Sequence, residues 1–201
     1  MKRKIVCLCD NVIEAEYPEE YDLDKEPAYM DEIQNGSFLN FFCQNCKKTH
    51  KPEFPIFIHW PSRNLKFEII PELERGDFYR RTSEPSDSME AIIGYPEMTE
   101  RLSIISDSFD PVPIEAIKYR LGIKAEEQYP DSEIDIRYFR SDENNLEFHI
   151  HGMKEDQVAI MKIPRTLYDK TFTDYKENPS KEMFTVLRVK NYLSYKNTMR
   201  A

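Results

Sequence analysis

Four cysteines stand in two close pairs, Cys7-Leu8-Cys9 and Cys43-Gln44-Asn45-Cys46. Thiolates are soft, charged donors that suit zinc, and two pairs from two loops complete a tetrahedron. The second pair has the two-residue spacing of a zinc knuckle. The first is one residue shorter, which still allows chelation but changes the turn. Asp10, three residues after Cys7, and His50, four after Cys46, are placed to substitute if the short pair presents only one sulfur. Disulfides are the competing use of the same thiols. A Cys-x-Cys disulfide closes a strained small ring. The start Met-Lys-Arg-Lys-Ile-Val-Cys also lacks the hydrophobic segment of a signal peptide. The expectation is therefore a cytoplasmic chain, reduced thiols, and Zn2+ held by Cys7, Cys9, Cys43 and Cys46.

Other groupings carry less chemistry. His149 and His151 lie two apart on an expected strand and share a face with Glu147. Metal binding or proton transfer there lacks an identifiable third ligand, so an ordinary polar strand face is the expectation. His59-Trp60 reads as a strand end in which the indole anchors a core. Tyr168, Phe172, Tyr175, Phe184, Tyr192 and Tyr195 are interleaved with Lys and Arg, a pattern that suits base stacking. Spread over a helix and a strand, they more simply line a core. The five glycines are too dispersed for a Rossmann fingerprint or a P-loop. Neither a nucleophile elbow nor His-Glu-x-x-His is present, and no catalytic residue is assigned.

The charge balance restricts partners. The chain has 201 residues, 28 Lys plus Arg against 37 Asp plus Glu, and a net charge of −9. Phosphate neutralisation drives non-specific nucleic-acid binding, so an acidic chain is ill suited to it. Basic residues do gather at Lys47–Lys51 and near the C-terminus, while nine acidic residues fall between Glu14 and Glu32. No apolar run approaches the roughly 20 residues of a membrane span, and no lipidation motif is present.

The elements that must position the cysteines follow from pattern. Short strands are expected at 3–8 and 11–17 around the first pair. A helix from Glu26 to Asn35 has Pro27 near its start and Gly36 beyond its end. An aromatic strand through Phe38, Leu39, Phe41 and Phe42 leads into Cys43, and 55–60 with 65–70 forms a hairpin. Residues 74–90, poor in apolar side chains, read as a linker or exposed loop. Beyond it, helices are expected at 96–106, 111–121 and 164–175. Strands are expected at 134–140, 146–150, 158–163 and 184–192. The fold class is α+β: a zinc-ribbon-like β block at 1–73 with an inserted short helix, then an α+β block at 91–201 with a small antiparallel sheet.

Several segments together resemble one family. They are Ile5-Val6-Cys7-Leu8-Cys9, Cys43-Gln44-Asn45-Cys46, Pro52-Glu53-Phe54-Pro55 and Ile69-Ile70-Pro71. Further on come Gly94-Tyr95-Pro96-Glu97-Met98-Thr99-Glu100-Arg101-Leu102 and Phe109-Asp110-Pro111-Val112-Pro113-Ile114-Glu115-Ala116-Ile117-Lys118. This set resembles the CpXC family of bacterial and archaeal proteins, whose domain is functionally uncharacterised, over about the first 120 residues. Leu8 and Gln44 stand where the family has proline. The resemblance implies a fold and no reaction. With four candidate thiolates and no catalytic motif, the expected function is a zinc-stabilised, non-enzymatic module that binds a protein partner. A metal-dependent hydrolase with an open site and a nucleic-acid-associated zinc ribbon are the alternatives.

Overall fold

A computed structural model describes residues 1–81, 89–154 and 157–200. The centre of the expected 74–90 loop, residues 82–88, lies outside the described residues. The chain divides into two compact units, residues 1–99 and 100–201.

In the first unit β1 (Lys2–Val6) and β2 (Val12–Glu16) form an antiparallel hairpin that pairs Val6 with Val12. β3 (Glu20–Asp22) lies in the acidic arm and precedes α1 (Ala28–Asn35), which stops at Gly36 in the left-handed region. A second hairpin joins β4 (Phe41–Phe42) to β5 (Thr49–His50). The expected aromatic strand is therefore two residues long. Leu39, at a φ of 49°, turns the chain before it.

β6 (Ile56–Trp60) and β7 (Leu65–Ile70) pair antiparallel as expected, with a 3-10 turn over Pro61–Arg63 between them. Their alternation sends Ile56, Ile58, Phe67 and Ile69 into the core. β3 runs parallel to β6, and β8 (Glu90–Ile93) runs parallel to β7. β8 thus joins the N-terminal sheet. The stretch expected as a loop after Pro71 contains a 3-10 turn, Glu72–Glu74, and α2 (Arg75–Arg80). Buried Phe78 and the ion pair of Arg75 with Glu97, 2.7 Å, hold it in place.

α3 (Tyr95–Ser106) carries the chain out of the first unit. In the second, Asp110 caps α4 (Pro111–Gln128) by accepting the Val112 N–H at 3.0 Å. β9 (Asp135–Ser141), β10 (Asn145–Lys154) and β11 (Gln157–Pro164) form the expected antiparallel sheet, in the order β11-β10-β9. Ile114, Ile117 and Leu121 of α4 share a core with Ile136, Tyr138, Leu146, Phe148 and Ile150. α5 (Arg165–Glu177) follows. The strand expected at 184–192 is instead α6 (Glu182–Thr185) and a hairpin of β12 (Arg188–Val189) with β13 (Tyr192–Leu193). Lys190, at a φ of 56°, makes that turn. Among the described residues no helix is long and apolar enough to cross a membrane.

The second unit also buries a charge cluster that sequence reading missed. Lys118 Nζ lies 2.8 Å from Glu100 Oε1 and 3.1 Å from Glu115 Oε1. Arg101 Nη2 is 3.8 Å from Glu115 Oε1 and donates to Leu193 O at 2.8 Å. Glu100 accepts the Tyr138 N–H at 2.6 Å and Glu115 the Tyr195 N–H at 2.9 Å. Two charges of each sign, all buried, therefore tie α3 to α4, β9 and the C-terminal turn. All four residues lie in segments that carry the family resemblance.

Candidate metal centre

Each cysteine pair sits in the turn of a short hairpin. In the second, the Cys43 N–H donates to Lys48 O, and the Cys43 carbonyl accepts from Lys47 N–H, both at 2.9 Å. In the first, the Cys7 N–H donates to Asn11 O, and the Cys7 carbonyl accepts from Asp10 N–H, also at 2.9 Å. Both bonds of the first turn span one residue fewer than those of the second. Lys47 and Asp10 fill the left-handed position in their respective turns, at φ 61° and 64°. The missing residue is absorbed inside the turn, and both sulfurs of the short pair still point to the same place.

The four Sγ atoms all lie within 4.8 Å of one another. Cys7 Sγ is 3.4 Å from Cys46 Sγ, and Cys9 Sγ is 3.6 Å from Cys43 Sγ. A tetrahedron with metal–sulfur bonds of about 2.3 Å has edges of roughly 3.8 Å. The spacing fits one ion held by four thiolates, and the four cysteines could hold a metal. All are free of disulfides.

The turns also prepare the charge. Backbone N–H groups of Cys46 and Asn45, aimed at Cys43, bring its pKa down to about 6. Cys9 is lowered by the Asn11 N–H and then by the Asn45 side chain, whose Nδ2 is 3.4 Å from the sulfur. Cys7 is pulled down by the Cys9 N–H. Burial and the neighbouring thiols together outweigh that pull and push Cys7 up to about 12. A cation at the centre would relieve that opposition.

The proposed substitutes are placed differently. Asp10 is exposed at its turn. His50, paired across the hairpin with Phe41, puts Nε2 3.1 Å from Cys7 Sγ and stands beside a single sulfur. The four cysteines form the one cluster of metal-capable donors found among the described residues. His149 Nε2 is 3.1 Å from Glu147 Oε1, and its ring stacks on Phe139 at 4.1 Å. His151 adds no third donor. Trp60 is half-buried beneath Arg63, with 5.3 Å between guanidinium and ring. Tyr168, Phe184, Tyr192 and Tyr195 are buried and Phe172 and Tyr175 pack against the core, so the C-terminal aromatics are structural.

The resemblance segment at 52–55 and the start of the one at 94–102 meet in the first unit. Glu53 accepts the Tyr95 N–H at 2.7 Å and the Glu72 N–H at 2.6 Å. Tyr95 OH accepts the Phe54 N–H at 3.1 Å and lies 3.2 Å from Phe54 O. These contacts stitch the segment after the second cysteine hairpin to the start of α3, and they hold structure rather than perform chemistry.

An uncharacterized protein of Treponema pallidum (strain Nichols) is 26% identical to the chain over 95% of both. No solved structure matches. The CpXC protein family matches residues 5–118, which hold both cysteine pairs, the Glu53 stitch and all four residues of the buried cluster on α3 and α4. The chain belongs to the CpXC family.

Proposed function

We propose that the protein is a non-enzymatic protein-interaction module whose N-terminal end is fastened by a structural zinc ion. The observation that carries this reading is the all-sulfur donor set. Four thiolates fill a tetrahedral ion's positions and leave none for a water or substrate, which is the pattern of a structural site. A cytoplasmic setting, where thiols stay reduced, belongs to the same reading.

The fastened end presents apolar side chains to solvent. Leu8, between the first two cysteines, is 89% exposed, and Val6 is 69% exposed beside its cross-strand neighbour Val12. Exposed apolar groups held on a rigid turn suit a protein surface. The nearby lysines suit nucleic acid less well. Lys47 lies over the Phe42 ring at 5.8 Å, and Lys51 donates to Gly36 O at 3.0 Å.

Metal analysis of protein purified without chelators should give one zinc per chain. Cobalt substitution should give a four-sulfur absorption spectrum. A structural zinc site contributes on the order of 10–16 kcal/mol. Cys43→Ser should therefore lose the ion and unfold the cysteine end, as read by the fluorescence of Trp60, the single tryptophan. Protein without zinc, or a cobalt spectrum with a bound water, would refute the closed site. The zinc-loaded Leu8→Asp variant should lose partners that the wild type retains; equal capture by both removes this face from the proposal.

A further inference from the structure

The two edges of the C-terminal sheet are finished differently. On β9 the Ile136 N–H donates to Tyr195 OH at 2.8 Å and the Tyr138 N–H to Glu100 Oε1 at 2.6 Å. Buried side chains thus close that edge. β11 is the opposite edge, and among the described residues no hydrogen bond reaches its outer side. Its exposed side chains are largely apolar: Ile160 is 63% exposed, and Val158 and Met161 are exposed with it. Lys162 is the single charge in the strand, and Pro164 comes only at its end. Edge strands left to solvent are ordinarily blunted by charges, bulges or internal prolines. Residues 157–163 have one lysine and no proline, and the register shift of the β10–β11 ladder, between Ile150 and Lys154, places its extra residues on β10 and not on β11.

We infer that β11 pairs antiparallel with β11 of a second copy of this chain, about a twofold axis at Ile160. A twofold axis normal to the sheet keeps like faces together, which restricts the registers. The register centred on Ile160 pairs residues 157–163 in full. Ile160 meets Ile160, Ala159 meets Met161, Val158 meets Lys162, and Gln157 meets Ile163. Centring on Met161 draws in Pro164, which has no N–H for a ladder. Centring on Lys162 sets two ammonium groups opposite each other, which is unfavourable. The Ile160 register avoids both faults and buries the most exposed apolar residue of the strand against its own copy. The pairing joins two three-stranded sheets into one of six. It is independent of the metal and of the partner proposed for the cysteine end.

Seven residues per copy is fewer than the roughly 20–30 per side of a standard stable interface. The dimer is accordingly reversible, with a dissociation constant of roughly micromolar order. Sedimentation equilibrium on the full zinc-loaded chain, from roughly 1 to 300 µM, brackets that value. The wild type should pass from monomer to dimer across the range. Ile160→Lys sets like charges at the axis without touching the core, and should weaken association at least about tenfold with an unchanged circular dichroism spectrum. Val158→Glu sets a carboxylate opposite Lys162 of the second copy and should associate at least as tightly as the wild type. A wild-type chain that stays monomeric throughout leaves the edge to a strand from another protein and overturns the inference. Undiminished dimerisation of Ile160→Lys, or disruption by Val158→Glu equal to that by Ile160→Lys, overturns it as well.

Discussion

Replacing Lys118 with methionine tests the buried charge cluster directly. Natively, Glu100 and Glu115 face Lys118 and Arg101, and all four side chains are almost inaccessible to water. Methionine keeps much of the stem and removes the ammonium, leaving one surplus negative charge where solvent cannot reach it. Breaking a buried pair by deleting one partner costs about 3–5 kcal/mol. The loss should depend on pH. Burial, opposed by Lys118, raises the Glu100 carboxyl to about 7, and deleting the lysine removes that opposition, so the carboxyl rises further. A carboxyl whose folded pKa lies above its unfolded value near ~4.3 favours the folded state at low pH. That contribution is lost as pH climbs to the folded pKa. In the wild type the loss from Glu100 levels off above about pH 7. In Lys118→Met it continues upward at about 1.4 kcal/mol per pH unit.

Urea unfolding followed by far-ultraviolet circular dichroism reads α4 and α5 and supplies the measurement. The reasoning is refuted if the variant stays within about 1 kcal/mol of wild type at pH 8. It is also refuted if the gap does not widen between pH 7 and pH 8. Adding Glu100→Gln should recover most of the loss, because the amide oxygen still accepts from Tyr138 and the remaining Glu115 and Arg101 charges balance.

Two glycines in the left-handed region separate strain from collision. At Gly152, φ 87°, an added Cβ would lie 1.9 Å from Glu133 O, whereas at Gly36, φ 73°, the nearest atom is Lys51 Nζ, the end of a long side chain, at 3.8 Å. Gly152→Ala should cost roughly 2–4 kcal/mol and Gly36→Ala about 1 kcal/mol by urea unfolding; equal costs would refute the distinction. Acid should weaken the second unit through Asp135. Burial alone would raise this carboxyl, but Lys196 at 3.1 Å and Arg137 at 2.5 Å prevail and hold it at about 2. A depressed carboxyl stabilises the fold above its unfolded value, so about 2 kcal/mol should disappear as pH falls from roughly 4 to 2. Lys196→Ala should flatten that acid slope, and an unchanged slope would remove Asp135 as its source.

What the sequence made legible was local. Two cysteine pairs, a Pro27/Gly36 bracket and the alternation of Ile56, Ile58, Phe67 and Ile69 each fit within a few turns or one hairpin. Contacts between distant segments were less legible. α2 contains one well-buried apolar residue, Phe78, and its other anchor is the Arg75 pair with Glu97, 22 residues on. Nothing near 74–80 announces it. β3 hides among acidic residues because its pairing with β6 is set by backbone and by buried Tyr21. In α4, residues 112–118 are buried without interruption, so the helical spacing of Ile114, Ile117 and Leu121 marked the helix but not the burial of Glu115 and Lys118. A helix covered on every side at its start defeats the assumption that charge marks solvent. The region 184–192 had the apolar content of a strand, but turning at Lys190 divided it.

The Glu53 stitch sits where a parallel sheet ordinarily offers a place to anions. In open sheets the crevice beyond parallel strand ends, next to a helix N-terminus, is a natural seat for anions. Here β8 leads directly into α3 at such a place, and Glu53 occupies it by taking the first amide of that helix together with the Glu72 N–H. An incoming nucleotide would have to evict a tethered rival, anchored next door by the two-way grip of Tyr95 on Phe54. The fold has turned its own anion berth into a seam.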